Sequence, residues 1–124
     1  RISDTGEPAF LSDQADTQLP KSLQDTICLM QNNMEEMLSA EEIASLVGIT
    51  LRQIERQFQR YLGSTPTRYY LELRLKRCHQ LLTQTQLSKS DISLACGFVS
   101  YPHFSKCYRQ YFEVTPSHTR RQSS

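Results

Sequence analysis

The chain has 124 residues, enough for one domain with a modest core or for two very small cores that share an element. No run of eighteen apolar residues and no basic segment followed by an apolar stretch occurs, so we expect neither a membrane span nor a secretory signal. The net charge of +1 divides unevenly, with two basic and nine acidic residues in 1–49 against twelve basic and four acidic residues in 50–124.

This division of charge is typical of a polyanion-binding surface with an acidic flank, although charged helix faces turned to solvent would produce the same counts. The cysteines Cys28, Cys78, Cys96 and Cys107 form no C-x-x-C pair and lie at or beside apolar helical positions. They predict reduced, buried or half-buried thiols in a cytosolic protein. Arg1 in place of Met indicates a fragment whose upstream part is missing.

The first predicted helix follows a polar segment. Residues 1–19 are rich in Asp, Thr, Gln, Ser and Gly, cannot build a core, and are expected to form a flexible interdomain linker or tail. After Pro20, apolar residues recur at intervals of three and four and predict a helix over residues 21–37 with a core-facing methionine stripe. The apolar positions are Leu23, Ile27, Met30, Met34, Met37 and Leu38.

Two short helices separated by a turn of about four residues are predicted next, and this order is a helix-turn-helix signature. Ser39 and Glu42 form a capping box before the first of them, which Gly48 ends. Thr50 caps the second, over residues 51–62, and Gly63 ends it in the left-handed conformation. The predicted inward positions are Ile43, Ala44, Leu46 and Val47 in the first helix, and Ile54, Phe58, Tyr61 and Leu62 in the second.

A longer helix over residues 66–84, opened by Thr65 and Pro66, is predicted to connect this unit to a second one. Its apolar stripe contains Tyr70, Leu71, Leu75, Cys78, Leu81 and Leu82. A short helix from Ser88 to Cys96, a turn at Gly97 and a second helix from Ser100 to Phe112 follow, and Thr115-Pro116 opens a last short turn of helix.

The two units are copies of one motif. Ile43 matches Ile92 and Gly48 matches Gly97 at a spacing of 49; after one inserted residue, Phe58 matches Tyr108 at a spacing of 50. The sequence therefore predicts an all-α fold of about seven helices, with helix-turn-helix subdomains over residues 20–63 and 87–124 joined by a linker helix within residues 64–86.

The face opposite each apolar arc predicts DNA binding, because the second helix of a helix-turn-helix places its N-terminal residues at base edges in the major groove. Arg52 and Arg56 suit guanine and Gln53 suits adenine. The residues at the corresponding places in the second copy are Tyr101, Pro102, His103 and Lys106. Phosphate or flanking contacts are expected from Thr50, Arg60, Ser100 and Arg109. For each basic residue, the alternative to a DNA contact is an ordinary solvated side chain.

The sequence contains little that supports an enzymatic function. His79, His103 and His118 lie far apart, and the chain has neither zinc-type Cys/His spacing nor a glycine-rich phosphate loop, so we expect no catalytic residues, cofactor or metal. The competing interpretation is a protein-interaction module, for example a polymerase contact, whose DNA affinity is incidental.

The stretch DISLACGFVSYPHFSKCYRQYFEVTPS resembles the DNA-binding domain of the AraC/XylS family of bacterial transcription regulators. The resemblance covers residues 21–121 and departs from the family pattern at Glu113, where Gly is usual, and at Thr119, where an aromatic residue often precedes Arg120. DNA-repair methyltransferases carry a similar helical domain, but no cysteine here lies in their Pro-Cys-His-Arg context.

The connecting stretch YYLELRLKRCHQLL is similar to that of the GlxA-like subgroup. This resemblance implies an upstream PfpI/amidotransferase-like sensing domain that is absent from this chain. It also implies an activator of amino-acid or quaternary-amine catabolism genes that contacts RNA polymerase in the bacterial cytoplasm and nucleoid, with an isolated DNA-binding domain that is monomeric.

Overall fold

The computed structural model describes residues 19–123, so the linker predicted over residues 1–19 lies almost wholly outside the described residues. Seven helices and no strand occur in the described part of the chain, which confirms the all-α prediction. The helices are α1 (Lys21–Asn32), α2 (Ala40–Val47), α3 (Leu51–Gln57, continued by the π-helical turn Phe58–Leu62), α4 (Pro66–Gln84), α5 (Lys89–Ala95), α6 (Tyr101–Phe112) and α7 (Pro116–Ser123). None of the described helices is both long and apolar enough to cross a membrane.

Most helices begin where a local side chain satisfies a free backbone N–H. Before α2, Ser39 accepts a hydrogen bond from the Glu42 amide, and the Glu42 carboxylate accepts one from the Ser39 amide. The hydroxyl groups that cap α3 to α7 in the same i to i+3 manner belong to Thr50, Thr65, Ser88, Ser100 and Thr115. These bonds join residues three apart, so the helix starts follow directly from the local sequence.

Two hydrophobic cores share α4. The first core, between α1, α2, α3 and the start of α4, contains Leu23, Met30, Ile43, Ala44, Ile54, Phe58 and Tyr70. The second, between the rest of α4 and α5 to α7, contains Leu75, Cys78, Leu82, Ile92, Cys96, Phe98, Phe104 and Tyr108. We call α1 to α3 the first unit and α5 to α7 the second unit; α4 contributes to the core of both.

The prediction that the first helix runs to residue 37 was wrong, because α1 ends at Asn32. Asn33 leaves the helical conformation with φ −137° and ψ 60°, and its side chain donates to the Leu29 carbonyl at 2.8 Å. The Tyr70 hydroxyl on α4 then donates to the Asn33 carbonyl and accepts from the Leu38 amide. A tertiary partner thus replaces the hydrogen bonds that another helical turn would make.

Four predicted burial assignments were also wrong. Leu46 is 65% exposed because Ile43, Ala44 and Val47 occupy the inward arc of α2. Tyr61 is 40% exposed because the π-turn holds more residues than an α-turn and rotates this position outward. Met37 is 42% exposed since it lies beyond the end of α1, and Cys28 is exposed on that helix.

The second unit repeats the backbone of the first. Gly48 and Gly97 follow α2 and α5 with φ of 87° and 82°, and Gly63 and Glu113 follow α3 and α6 with φ of 63° and 65°. Glu113 therefore holds a left-handed conformation that usually favours glycine. The helix after Thr115 is longer than the short turn predicted, since α7 has eight residues.

The turn of the second unit packs tightly against the first unit. A Cβ atom added to Gly97 would lie 2.2 Å from the backbone oxygen of Met34, far inside van der Waals contact. The corresponding Gly48 has no atom within 4 Å of such a position. The absence of a side chain at Gly97 therefore allows the two units to approach each other.

Candidate nucleic-acid interface

The turn before α3 orients that helix. The Ala44 carbonyl accepts hydrogen bonds from the Gly48 amide at 2.8 Å and the Ile49 amide at 3.1 Å, which closes α2 and reverses the chain. Ile49 packs against the first core, and Thr50 then starts α3. Because Ile54 and Phe58 are buried on one side of α3, its opposite side faces solvent.

Three arginines occupy that outer side. Arg52, Arg56 and Arg60 are all exposed, as predicted from their spacing. Arg56 and Arg60 line one open depression together with Pro20 at the start of α1, and the Arg60 guanidinium carbon lies 5.6 Å from the centre of the Tyr61 ring. None of the three arginines is in an ion pair with a residue of the described chain. Their charges are thus available to an anionic partner.

Gln53 has a structural role in addition to its predicted one. Its side-chain oxygen accepts a hydrogen bond from the Thr50 amide at 2.9 Å, while the Thr50 hydroxyl accepts from the Gln53 amide at 3.1 Å. Paired contact with adenine needs both the oxygen and the nitrogen of the glutamine amide. Gln53 must therefore give up this capping bond, or share its oxygen, to read adenine in that way.

The second unit presents a smaller basic face on α6. Pro102, Lys106 and Arg109 are exposed and line one depression, to which Tyr101 and Thr115 also contribute. Tyr101 is only half-buried, and its ring lies edge-on to Phe104 with centroids 5.8 Å apart. Ser100 is exposed and caps the helix. Four of the predicted contact residues, Tyr101, Pro102, Lys106 and Arg109, therefore line one depression.

His103 lies to one side of this surface. Its ring is 5.7 Å from that of Phe98, its Nε2 is 3.7 Å from the sulfur of Cys107, and both His103 and Cys107 line a cavity between the two units. The side chain remains exposed, so contact with an external partner is still open to it. It does not share the depression of Lys106 and Arg109.

Sequence analysis gave no role to Arg74, although it positions the second unit. Arg74 is 8% exposed, and its guanidinium donates to the Cys96 carbonyl at 2.8 Å and the Gly97 carbonyl at 3.0 Å. The same group lies 4.2 Å from the centre of the Phe98 ring. Burial lowers the pKa of Arg74, but an arginine keeps its proton in proteins. Its place within the apolar stripe of α4 was the signal that could have revealed it.

The end of the second unit is held by further polar contacts that sequence analysis missed. Thr119 on α7 is buried, and its hydroxyl lies 2.8 Å from that of Tyr108, which also contacts Nδ1 of His79 at 3.1 Å. Burial raises the pKa of Tyr108, which keeps the phenol protonated. Arg120 donates to carbonyls at the end of α4, including that of Leu82 at 3.3 Å. Because its hydroxyl bonds to that of Tyr108, Thr119 is accommodated in the core at a position where the family often has an aromatic residue.

Comparison with known proteins decides the family. A family model described as a helix-turn-helix domain matches residues 43–122, which run from within α2 through α3 to α6 and into α7. A solved AraC-type DNA-binding domain protein from Chromobacterium violaceum is 50% identical, with a TM-score of 0.83, and the match covers 89% of this chain and 96% of that one. The chain belongs to the AraC/XylS family of transcription regulators.

The chain spans less than a third of the length of two curated members of the family. The HTH-type transcriptional regulator GbdR of Pseudomonas aeruginosa (strain UCBPP-PA14) is 50% identical over 105 residues, or 85% of this chain and 28% of that protein. The HTH-type transcriptional regulator GlxA of Rhizobium meliloti (strain 1021) is 35% identical over 94 residues, or 76% of this chain and 29% of that protein. Members of this AraC/XylS family are DNA-binding regulators and not enzymes. In the described residues no group of three or more His, Cys, Asp or Glu side chains could hold a metal ion.

Proposed function

We propose that this AraC-type chain reads two adjacent major-groove segments of duplex DNA, one with α3 and one with α6, as part of a bacterial activator. The observation that carries the proposal is the pairing of two exposed basic helix faces on cores that share α4. The resemblance to GlxA-like regulators supports control of amino-acid or quaternary-amine catabolism genes.

We assign the contacts according to side-chain chemistry. A guanidinium can donate two parallel hydrogen bonds to guanine, whereas Thr and Ser hydroxyls at helix starts are suited to phosphate. The residues proposed for base contact are Arg52, Gln53, Arg56, Tyr101, Pro102, His103 and Lys106. Those proposed for phosphate or flanking contact are Thr50, Arg60, Ser100 and Arg109.

The shared scaffold constrains the DNA. Two helices that read successive major grooves on one face of a straight duplex must lie roughly 34 Å apart. The close contact of Gly97 with the Met34 backbone, and the hydrogen bonds from Arg74 to the second turn, resist rotation of one unit against the other. A mismatch in spacing would therefore be taken up by bending of the DNA.

Binding to random-sequence oligonucleotides, with selection and footprinting of the enriched sites, tests the proposal. We expect two protected major-groove segments about one helical turn, roughly 10 base pairs, apart. Protection of one groove alone would show that only one unit binds DNA and would contradict that part of the proposal. If no sequence were enriched, the proposed function as a whole would be contradicted. Affinity should also fall linearly on a log–log salt plot, with a slope of about −0.9 for each neutralised phosphate.

The remaining parts of the proposal concern the rest of the protein. The chain spans less than a third of the length of the two curated relatives, which supports an upstream sensing domain. We also propose that the DNA-binding part is monomeric by itself. The exposed apolar residues Leu46 and Leu94, on the first helix of each motif, favour an additional protein contact, for which we propose RNA polymerase. Leu46→Ser with Leu94→Ser should then reduce transcription activation and leave operator affinity unchanged.

A further inference from the structure

A cavity of about 380 Å³ lies between the two units. Residues from α1, α2, α3, α4 and α6, together with the segment between α1 and α2, form its walls. Most of the wall is apolar and includes Met30, Met37, Ile43, Ile54 and Leu71. The volume lies within the range of small-molecule sites, which are typically apolar with a few polar groups for orientation.

The wall hydroxyls of Thr26 and Tyr70 already have partners. Thr26 donates to the Ser22 carbonyl at 2.8 Å, and the Tyr70 hydroxyl is held by Asn33 and Leu38. Because these hydroxyls are satisfied within the protein, neither provides a strong polar anchor for a bound molecule.

Among the buried wall residues with polar side-chain groups, Thr26, Tyr70 and Arg74, only Arg74 has unused donor capacity. Its two hydrogen bonds go to carbonyl oxygens of Cys96 and Gly97, and within the described chain Nη1 has no hydrogen-bond partner and no carboxylate pairs with the guanidinium. Carbonyl groups supply dipoles but no net negative charge. A cation that is 92% shielded from water and lacks a counter-ion is costly, so an anion beside it would stabilise the site.

We propose that this inter-unit cavity binds a small monocarboxylate with an apolar body, and that the carboxylate contacts the guanidinium of Arg74. The planar guanidinium matches a carboxylate in shape, and the apolar walls accommodate an alkyl or aryl group. Arg74 is the only arginine or lysine in the wall of this cavity, so it provides one permanent positive charge, which disfavours phosphates and dicarboxylates. Apart from His103, which lines the cavity and is also proposed for base contact, the wall of this site contains none of the residues proposed to contact DNA.

Calorimetric titration of the 124-residue chain with 4-phenylbutyrate and with its neutral amide, 4-phenylbutanamide, tests the proposal without DNA. The two probes have nearly the same shape and differ in charge. We expect one-site binding of the carboxylate and at least about tenfold weaker binding of the amide. Equal binding of both probes, or no saturable binding of the carboxylate, would overturn the proposal.

Met37 offers a matched pair of variants that locates the site. It is 42% exposed, lies outside the helices and lines the cavity, so both substitutions should leave the fold intact. Met37→Glu places a negative charge at the cavity, whereas Met37→Gln has nearly the same shape without charge. We expect 4-phenylbutyrate to bind Met37→Glu about tenfold more weakly than Met37→Gln. Equal affinities would show that binding occurs elsewhere and would contradict the proposal.

Arg74→Gln tests the anchor directly and should abolish the preference for carboxylate over amide. Circular dichroism reports whether this variant keeps its helices, since Arg74 also holds the turn at Gly97. If Arg74→Gln is folded and the preference persists, the proposal is wrong. If it is unfolded, the outcome is decided by the Met37 pair and by the carboxylate and amide comparison in the unaltered chain.

Discussion

The helices α3 and α6 begin and end in the same way but carry different residues on their outer faces. Each follows a left-handed glycine, begins at a hydroxyl cap and ends at a left-handed residue. On the outside, α3 carries Arg52, Arg56 and Arg60, whereas α6 carries Pro102, Lys106 and Arg109. The duplication has therefore kept the turn chemistry that orients the helix and changed the residues that meet a partner.

The side-chain contacts on the buried sides of the two helices also differ at matched positions. In the first unit the rings of Phe58 and Tyr69 meet edge-on with centroids 5.4 Å apart. Fifty residues later the corresponding pair is Tyr108 and Thr119, whose hydroxyl groups lie 2.8 Å apart. An apolar ring contact in one copy is thus replaced by a buried hydrogen bond in the other.

The largest contrast is expected between alanine substitutions at the two turn glycines. Gly97→Ala places a methyl group against the Met34 backbone and strains a residue with positive φ, so it should cost about 3 kcal/mol of unfolding free energy. Gly48→Ala meets no neighbour and should cost only about 1 kcal/mol. Urea denaturation of both variants measures the difference. Equal losses of unfolding free energy in the two variants would mean that the close approach of Gly97 to the Met34 backbone adds nothing to the cost of a side chain at residue 97.

The next contrast concerns DNA affinity at the matched positions Arg56 and Lys106. Arg56→Ala should cost about 1 to 3 kcal/mol and relax the preference at one base pair, because arginine can donate two bonds to guanine. Lys106→Ala should weaken all sequences alike and flatten the salt slope by about one.

Binding of both variants to a selected site and to its single-base variants, at several salt concentrations, provides the measurement. Both side chains are exposed and should be dispensable for folding, which circular dichroism checks. Equal and sequence-independent losses would refute the assignment of Arg56 to base reading.

A smaller effect is expected from removing the buried hydrogen bond of the second unit. Thr119→Val keeps the shape of the side chain but removes the bond to Tyr108, and should lower the unfolding free energy by about 1 kcal/mol. Tyr69→Phe is the control in the first unit because its ring contact with Phe58 remains, and it should cost less than about 0.5 kcal/mol. Thermal denaturation of the two variants is the measurement. A larger loss of stability in Tyr69→Phe than in Thr119→Val would contradict the comparison.

The last contrast lies at the ends of α3 and α6, where Gly63 and Glu113 have nearly the same φ. Glu113→Gly relieves a strained left-handed residue and should raise the unfolding free energy by about 0.5 kcal/mol, whereas Gly63→Ala should lower it by up to about 1 kcal/mol. A loss of stability in Glu113→Gly would show that contacts of the glutamate outweigh its backbone strain. Urea denaturation is again the measurement.

The helix starts and the glycine turns could be predicted from the sequence because they depend on bonds between residues three to five apart. Ser39 with Glu42, Thr50 with Gln53 and the turn at Gly48 are of this kind. The outward direction of the three arginines on α3 could likewise be predicted, because helical periodicity alone placed them opposite Ile54 and Phe58. The exact arrangement of the proposed contact residues around a partner remains a prediction.

Tertiary structure decided the features that depend on residues distant in the chain. Tyr70, more than thirty residues away, holds Asn33 and Leu38 in place and ends α1 early. Arg74 reaches the carbonyl groups of the second turn, and the meeting of the two units creates the cavity beside His103. Local periodicity can show that a side chain lies on the buried face of a helix. It cannot show which distant backbone atoms that side chain will meet, because that depends on how the two cores pack around α4.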